Sequence, residues 1–191
     1  MQLTHSEGMW GVFVYFRQKN KTALCSQHMI ADALFSLMKR KPFRQISITE
    51  ICEEAAIGRK TFYRNFELRE DVIEFQLDIM RDEYQNGMSG LTMAERLYYH
   101  FSYTQKNADY FIALYKNGLT QLAYDRFRVL RPEVMPVWSE DPVEQEYRCE
   151  YIIAGIEAIQ RVWISKGCKE SIDEVVEIAR RAQEKQVPIE H

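Results

Sequence analysis

Apolar residues recur at helical spacing through almost the whole chain, and this periodicity constrains the fold more than any other feature. From Thr22 to Lys41, residues Ile30, Leu34, Leu37 and Met38 follow the i, i+4, i+7, i+8 pattern of a helix with one buried face, and Pro42 ends it. A capping box follows, Ser47 with Glu50 three residues later, flanked by Ile46 and Ile51 as a hydrophobic staple. A short helix is therefore expected from Ile48 to about Ala55. The step "AIG" then leads into "GRKTFYRNF", residues 58–66. On a helix Phe62 and Phe66 share one face, pointing into a core, while Lys60 and Arg64 fall nearly opposite. Tyr63 lies on one flank and Thr61 on the other, each able to hydrogen-bond an anionic oxygen. Two short helices joined by a tight turn, the second displaying cations, form a helix-turn-helix arrangement.

A cationic pair on a helix is by itself an ordinary solvated face, so the surrounding charge decides. The whole chain of 191 residues has a formal net charge of -3, but the charge is unevenly divided. From Arg17 to Arg64 there are ten Lys or Arg and four acids; from Phe66 onward there are fifteen Lys or Arg and twenty-three acids. A basic head on an acidic body is the pattern expected of a polyanion-binding module, because local field attracts phosphate.

Cys25, Cys52, Cys149 and Cys168 are widely spaced, with no CxxC pair, which fits reduced thiols in a cytoplasmic protein. His5, His28, His100 and His191 form no HxxxH or HExxH arrangement, so no metal and no cofactor is expected. The longest apolar run, Met9 to Phe16, is far below the ~20 residues of a membrane span, and no Lys or Arg precedes it as in a signal peptide. It reads either as a short packing arm or as the product of a start codon placed too far upstream.

The stretch "ISITEICEEAAIGRKTFYRNFELREDV" resembles the TetR/AcrR transcriptional regulators, with Ile51, Ala55, Ile57, Thr61, Phe62, Tyr63, Phe66 and Arg69 in register with that family's motif. The resemblance implies an all-α fold, with residues 1–20 an N-terminal extension, 21–67 a three-helix DNA-binding domain, and 68–191 a larger effector-binding and dimerisation bundle. About nine helices are expected. It also implies roles: Lys60 as the leading base-edge residue with Arg59 and Thr61 beside it, Tyr63 on phosphate, and Arg69, Ser47 and Thr49 holding phosphate around it. Arg64 belongs to the same face, near the end of the helix. Three departures stand out. Ala56 occupies the place of a turn Gly and carries strain if left-handed, Gly58 gives up a side-chain N-cap, and Lys60 replaces a small residue.

Beyond the head, helices are expected from Leu68 to about Gln85, Met93 to Lys106, Ala108 to Lys116 and Leu119 to about Leu130, with "NG" at residues 86–87 and 117–118 as stops. A linker holding Pro132, Pro136, Trp138 and Pro142 precedes a long helix ended by Gly167. Ser171 and Glu174 form a further capping box, opening a last helix. The long helix is apolar over more than one stripe, which a two-fold four-helix bundle explains, with Tyr151, Ile152, Ile156, Ile159, Trp163 and Val176 at the homodimer interface. The tail also looks like that of regulators of the dihydroxyacetone-kinase subgroup. Family members hold an effector between the middle helices, and Tyr99, Tyr103, Phe111 and Tyr115 are the candidates to line such a pocket.

These features lead to the expectation of a dimeric, ligand-responsive repressor binding a pseudo-palindromic double-stranded DNA operator. An activator or co-regulator controlled by a partner protein is the rival within regulation. An enzyme is not expected, because no Ser-His-Asp, metal or phosphate-loop constellation is present.

Overall fold

The chain is all-α apart from a small ribbon near its start. The structure, a computed structural model, describes residues 6–8, 11–13, 21–128, 137 and 139–184. The ribbon pairs β1 (Ser6–Gly8) with β2 (Gly11–Phe13) in antiparallel register, Glu7 opposite Val12. It takes up part of the expected packing arm; the rest of that run lies outside the described residues. The helices are α1 (Lys21–Met38), α2 (Ile48–Glu54), α3 (Arg59–Asn65), α4 (Arg69–Met88), α5 (Met93–Lys106), α6 (Ala108–Lys116), α7 (Thr120–Arg128), α8 (Pro142–Ser165) and α9 (Ile172–Glu184), with a 3-10 turn at Phe43–Gln45. The chain forms two compact units, Met1–Asp82 and Glu83–His191, so that α4 contributes residues to both.

In the first unit α1, α2 and α3 pack on one another around Ile30, Leu34, Ile46, Ile51, Phe62 and Phe66, all essentially without solvent exposure. Phe66 meets Phe75 of α4 edge to face, with ring centroids 5.6 Å apart. The expected capping box forms: Glu50 N donates to Ser47 Oγ at 3.2 Å, and Ser47 N donates to Glu50 Oε2 at 2.9 Å. At the other end of α2, Ala56 N donates to Glu53 O and Ile57 N to Cys52 O, the paired bonds of a Schellman motif. Ala56 is the left-handed residue of that motif, at φ 52°, where glycine is free of the Cβ penalty.

In the second unit α5, α6, α8 and α9 form the bundle, with α7 against α6. Its core gathers Phe101 of α5, Trp163 of α8 and Val175, Val176 and Ala179 of α9. The box at Ser171 and Glu174 opens α9 as expected, and a second one, Thr92 with Glu95, opens α5. Helix α8 ends in another Schellman motif with Gly167 at φ 76°. Two sequence expectations are corrected. Asn86 and Gly87 do not stop α4, which runs on to Met88 before turning at Gly90, φ 77°. Pro142, read as part of a linker, is the first residue of α8, capped by Asp141 accepting from Val143 N at 2.9 Å. Pro132, Pro136 and Trp138 fall outside the described residues.

Candidate functional site

The exposed face of α3 follows from what the other face must bury. Phe62 is fully buried and Phe66 nearly so, which turns Arg59, Lys60, Tyr63 and Arg64 outward together. Tyr63 is 50% exposed and leans its ring against Phe62, centroids 5.6 Å apart, so its hydroxyl end is held in a defined place at the surface. Thr61 is half-buried at the edge of this face. Gly58 caps α3 without a side chain, leaving the helix start open.

The basic head divides into engaged and available cations. Arg40 pairs with Glu54 at 2.7 Å, and Lys41 pairs with Glu50 of the α2 capping box. Those two charges tie the turn after α1 to α2. The side chains of Arg44, Arg59, Lys60 and Arg64 enter no hydrogen bond or ion pair among the described residues. Arg44, exposed on the 3-10 turn, was not singled out from the sequence. Its signal was only its place one turn ahead of the α2 cap.

Ser47 and Thr49 lie exposed at the start of α2. The Ser47 hydroxyl accepts from Glu50 N and donates to Glu50 Oε2 at 2.8 Å, so it already serves the cap. Arg69, the first residue of α4, is half-buried and turned inward: Nη1 donates to the carbonyls of Phe43 at 3.2 Å, Arg44 at 3.3 Å and Ile46. Beside it Asp71 Oδ2 accepts from Leu68 N at 2.7 Å and Glu67 N at 3.0 Å, fixing the corner between α3 and α4. Burial pushes the Asp71 carboxyl up from its ordinary range, while these two donors pull the other way. Cys52 of α2 is buried, and burial pushes its thiol up in spite of Arg59.

The second unit contains a cavity of about 330 Å³ among α5, α6, α7 and α8, closed at one side by Tyr84 near the end of α4. Tyr103, Phe111, Tyr124 and Phe127 supply aromatic wall, and His100, Thr104, Gln160 and Arg161 supply polar groups. Gln160 Nε2 donates to Thr104 Oγ1 at 2.6 Å, and Tyr84 Oη lies 3.0 Å from His100 Nδ1. Burial first, then Glu83, pushes the Tyr103 phenol up, so it stays a neutral donor at physiological pH. Of the aromatics expected to line a pocket, Tyr103 and Phe111 do. Tyr99 packs instead against Tyr84 and Tyr103, and Tyr115 points to the exterior. No group of three or more metal-ligating side chains exists among the described residues, and no described helix is long and apolar enough to cross a membrane.

The residues expected at a dimer surface separate into two sets. Trp163, 2% exposed, and Val176, 8% exposed, belong to the core of the second unit, and Ile156 and Ile159 pack against that core. Trp163 and Val176 are corrected to core residues because α9 packs on α8 and the two side chains meet in that contact, while Ile156 and Ile159 are only half-buried beside it. Tyr151 is 66% exposed and Ile152 half-buried. Tyr151 continues an outward stripe on α8 with Tyr147, Ala154 and Val162.

Comparison with known proteins finds several to which the chain is similar. Residues 92–185 match the TetR_C_8 family, described as the transcriptional regulator C-terminal region. A relative in Lactococcus lactis subsp. lactis (strain IL1403), the HTH-type dhaKLM operon transcriptional activator DhaS, is 26% identical over 162 residues, covering 77% of this chain and 83% of its own. The solved structure of the dihydroxyacetone kinase operon activator DhaS is 22% identical, with TM-score 0.53, covering 83% of this chain and 93% of its own. The fatty acid degradation regulator FadR from Bacillus halodurans gives TM-score 0.65 at 14% identity, covering 90% and 99% of the two chains. Thermus thermophilus FadR, a TetR family repressor solved with lauroyl-CoA, gives 0.53 at 16%, covering 86% and 99%. At these identities the solved structures speak for the fold.

Proposed function

We propose that this chain, a transcriptional regulator of the TetR type by its C-terminal region and its relatives, binds a pseudo-palindromic DNA operator as a homodimer under the control of a small ligand. The observation that carries the DNA-binding part is the outward face of α3. Arg59, Lys60, Tyr63 and Arg64 stand together there, opposite the buried Phe62 and Phe66, with the three cations uncommitted among the described residues. Residues 21–67 are the reading head and 68–191 the body. Lys60, with Arg59 and Thr61, reads base edges, since Lys and Arg donate to guanine N7 and O6 in the major groove. Tyr63, Arg64, Thr49 and the N-terminal N–H groups of α2 near Ser47 hold phosphate, and Arg44 adds a further cation on that side. Such a protein works in the cytoplasm, where its DNA is, and needs no catalytic group.

The dimer surface is the stripe of Tyr147, Tyr151, Ala154 and Val162 on α8 with Ile178 on α9. Each is exposed and apolar, and the small Ala154, which also borders the cavity of the second unit, allows close helix approach. The cavity of the second unit is the effector site. Its aromatic wall and few convergent polar groups, with both Glu157 and Arg161 on the lining, suit a small organic ligand. Ligand control requires different affinity for two states of the protein, a coupling of about 1–3 kcal/mol.

A deoxyribonuclease footprint over the region upstream of the chain's own gene tests the proposal. Protection of two half-sites about one helical turn apart is expected, and no protection at any upstream site would overturn it. Activation is the second reading, favoured by the name of the DhaS relative, an activator. Deleting the gene separates the two: a reporter on the footprinted promoter rises if the chain represses and falls if it activates.

A further inference from the structure

Arg69 stands where the resemblance puts a phosphate-holding cation, yet its guanidinium is bound within the head. Nη1 donates to three carbonyl oxygens, those of Phe43, Arg44 and Ile46, on the turn that leads into α2. Nε donates to Glu70 Oε1 at 3.2 Å, and the guanidinium carbon lies 4.7 Å above the centre of the Phe43 ring. Ile46 immediately precedes Ser47, the N-cap of α2. The base from which Arg69 reaches is itself fixed, because Asp71 accepts the N–H groups of Glu67 and Leu68 at the exit from α3.

From this geometry we infer that, on the proposed DNA-binding role of α2 and α3, Arg69 is a positioning residue and not a phosphate contact. It clamps the entry of α2 to the start of α4, while Asp71 clamps the exit of α3 to the same turn. The reading surface between those two points is thereby held in one arrangement. A phosphate that took Nη1 would have to draw it away from three acceptors and the guanidinium off an aromatic face. The planar group matters as well as the charge, since a lysine ammonium can take the place of Nη1 but cannot at the same time donate to Glu70 from a second nitrogen and lay a flat cation over Phe43.

The test uses the full chain with Arg69→Lys and Arg69→Met. Amide hydrogen exchange without DNA should quicken across residues 43–50 in both variants and stay unchanged across residues 21–38. Binding to the footprinted duplex, followed by anisotropy at several salt concentrations, should weaken by roughly tenfold in both, with the slope of log K against log salt unchanged. Lysine should not rescue. If Arg69→Lys binds as the wild type does while Arg69→Met flattens the slope by about one unit per half-site, Arg69 neutralises a phosphate and the inference is overturned. Unaltered exchange in both variants overturns it as well. Should wild-type protein bind no duplex, the role proposed for α3 fails, while the exchange measurement still decides whether the clamp exists. Should Arg69→Met fail to fold, judged by circular dichroism, Arg69→Lys carries both measurements.

Discussion

Gly87 and Tyr99 fit each other so closely that a Cβ built on Gly87 would stand 2.0 Å from the Tyr99 hydroxyl oxygen and 2.3 Å from its ring carbon Cζ. Gly87 sits inside α4, where glycine costs about 1 kcal/mol relative to alanine. The ring it admits packs against Tyr84 and Tyr103, with centroids 5.6 and 6.0 Å away. Gly87→Ala should therefore destabilise the second unit by about 1–3 kcal/mol in urea unfolding, despite the gain in helix propensity. In a Tyr99→Ala background the same change should become stabilising. A sign that does not invert would show that the ring moves aside freely.

At Ala56 the balance runs the other way. A left-handed alanine carries a penalty of roughly 1–2 kcal/mol, part of which glycine gives back through the greater freedom of the unfolded chain. Ala56→Gly should raise the stability of the first unit by about 0.5–1 kcal/mol, read from its thermal or urea midpoint. A loss of stability would mean that the Schellman turn is not under strain.

Much of the head was legible in the sequence because its signals are local. Ser47 with Glu50 and Phe62 with Phe66 involve residues within a few positions of one another, and each pair forms as expected, while the condition set for Ala56 is met at φ 52°. The Thr92 and Glu95 cap had the same signature and went unread. What escaped depends on distant partners. Periodicity shows that Trp163 and Val176 lie on apolar faces, but not that those faces of α8 and α9 would meet within one chain and leave Tyr151 outside. Asn86 and Gly87 resemble a stop until Tyr99 supplies the reason for a glycine in a helix. Arg69 matches a motif position, whereas its direction is set by carbonyls more than twenty residues earlier. In the cavity, the sequence pointed to an aromatic cluster on α5 and α6, while the lining also draws Phe127 from α7 and Gln160 from α8.

Glu50 gives the first unit an acid-sensitive element. The Lys41 ammonium first, then the backbone and hydroxyl of Ser47, hold its carboxyl down at about 2. A carboxylate whose folded value is depressed contributes stability above the ordinary glutamate range, and that contribution disappears as pH falls toward about 2. Wild type should exceed Glu50→Gln in urea midpoint at neutral pH, and the gap should close through that window. Because the pair is solvent-exposed, added salt should narrow the gap at neutral pH. A gap independent of pH would assign the effect to packing.

The outward stripe on α8 makes a prediction about assembly that differs from one based on periodicity alone. Tyr147→Glu with Tyr151→Glu should yield folded monomers by sedimentation velocity, with far-ultraviolet circular dichroism unchanged, because both side chains are exposed in the single chain. Ile156→Glu should instead destabilise the second unit, since the half-buried Ile156 packs on the Trp163 core and a charge would be set against it. Unaltered sedimentation of the tyrosine pair would place the dimer surface elsewhere.

The most direct test of the account is the salt dependence of binding to the chain's footprinted upstream duplex and to a scrambled one, measured by anisotropy for wild type, Lys60→Ala and Tyr63→Phe. Lys60→Ala should lose about 1–3 kcal/mol per half-site on the operator and less on the scrambled duplex, relaxing discrimination at one base pair. Tyr63→Phe should weaken both duplexes alike and leave the salt slope unchanged, because a neutral hydrogen bond releases no counterion. If both variants bind both duplexes as wild type does, the exposed face of α3 does not enter the groove, and the central claim is contradicted.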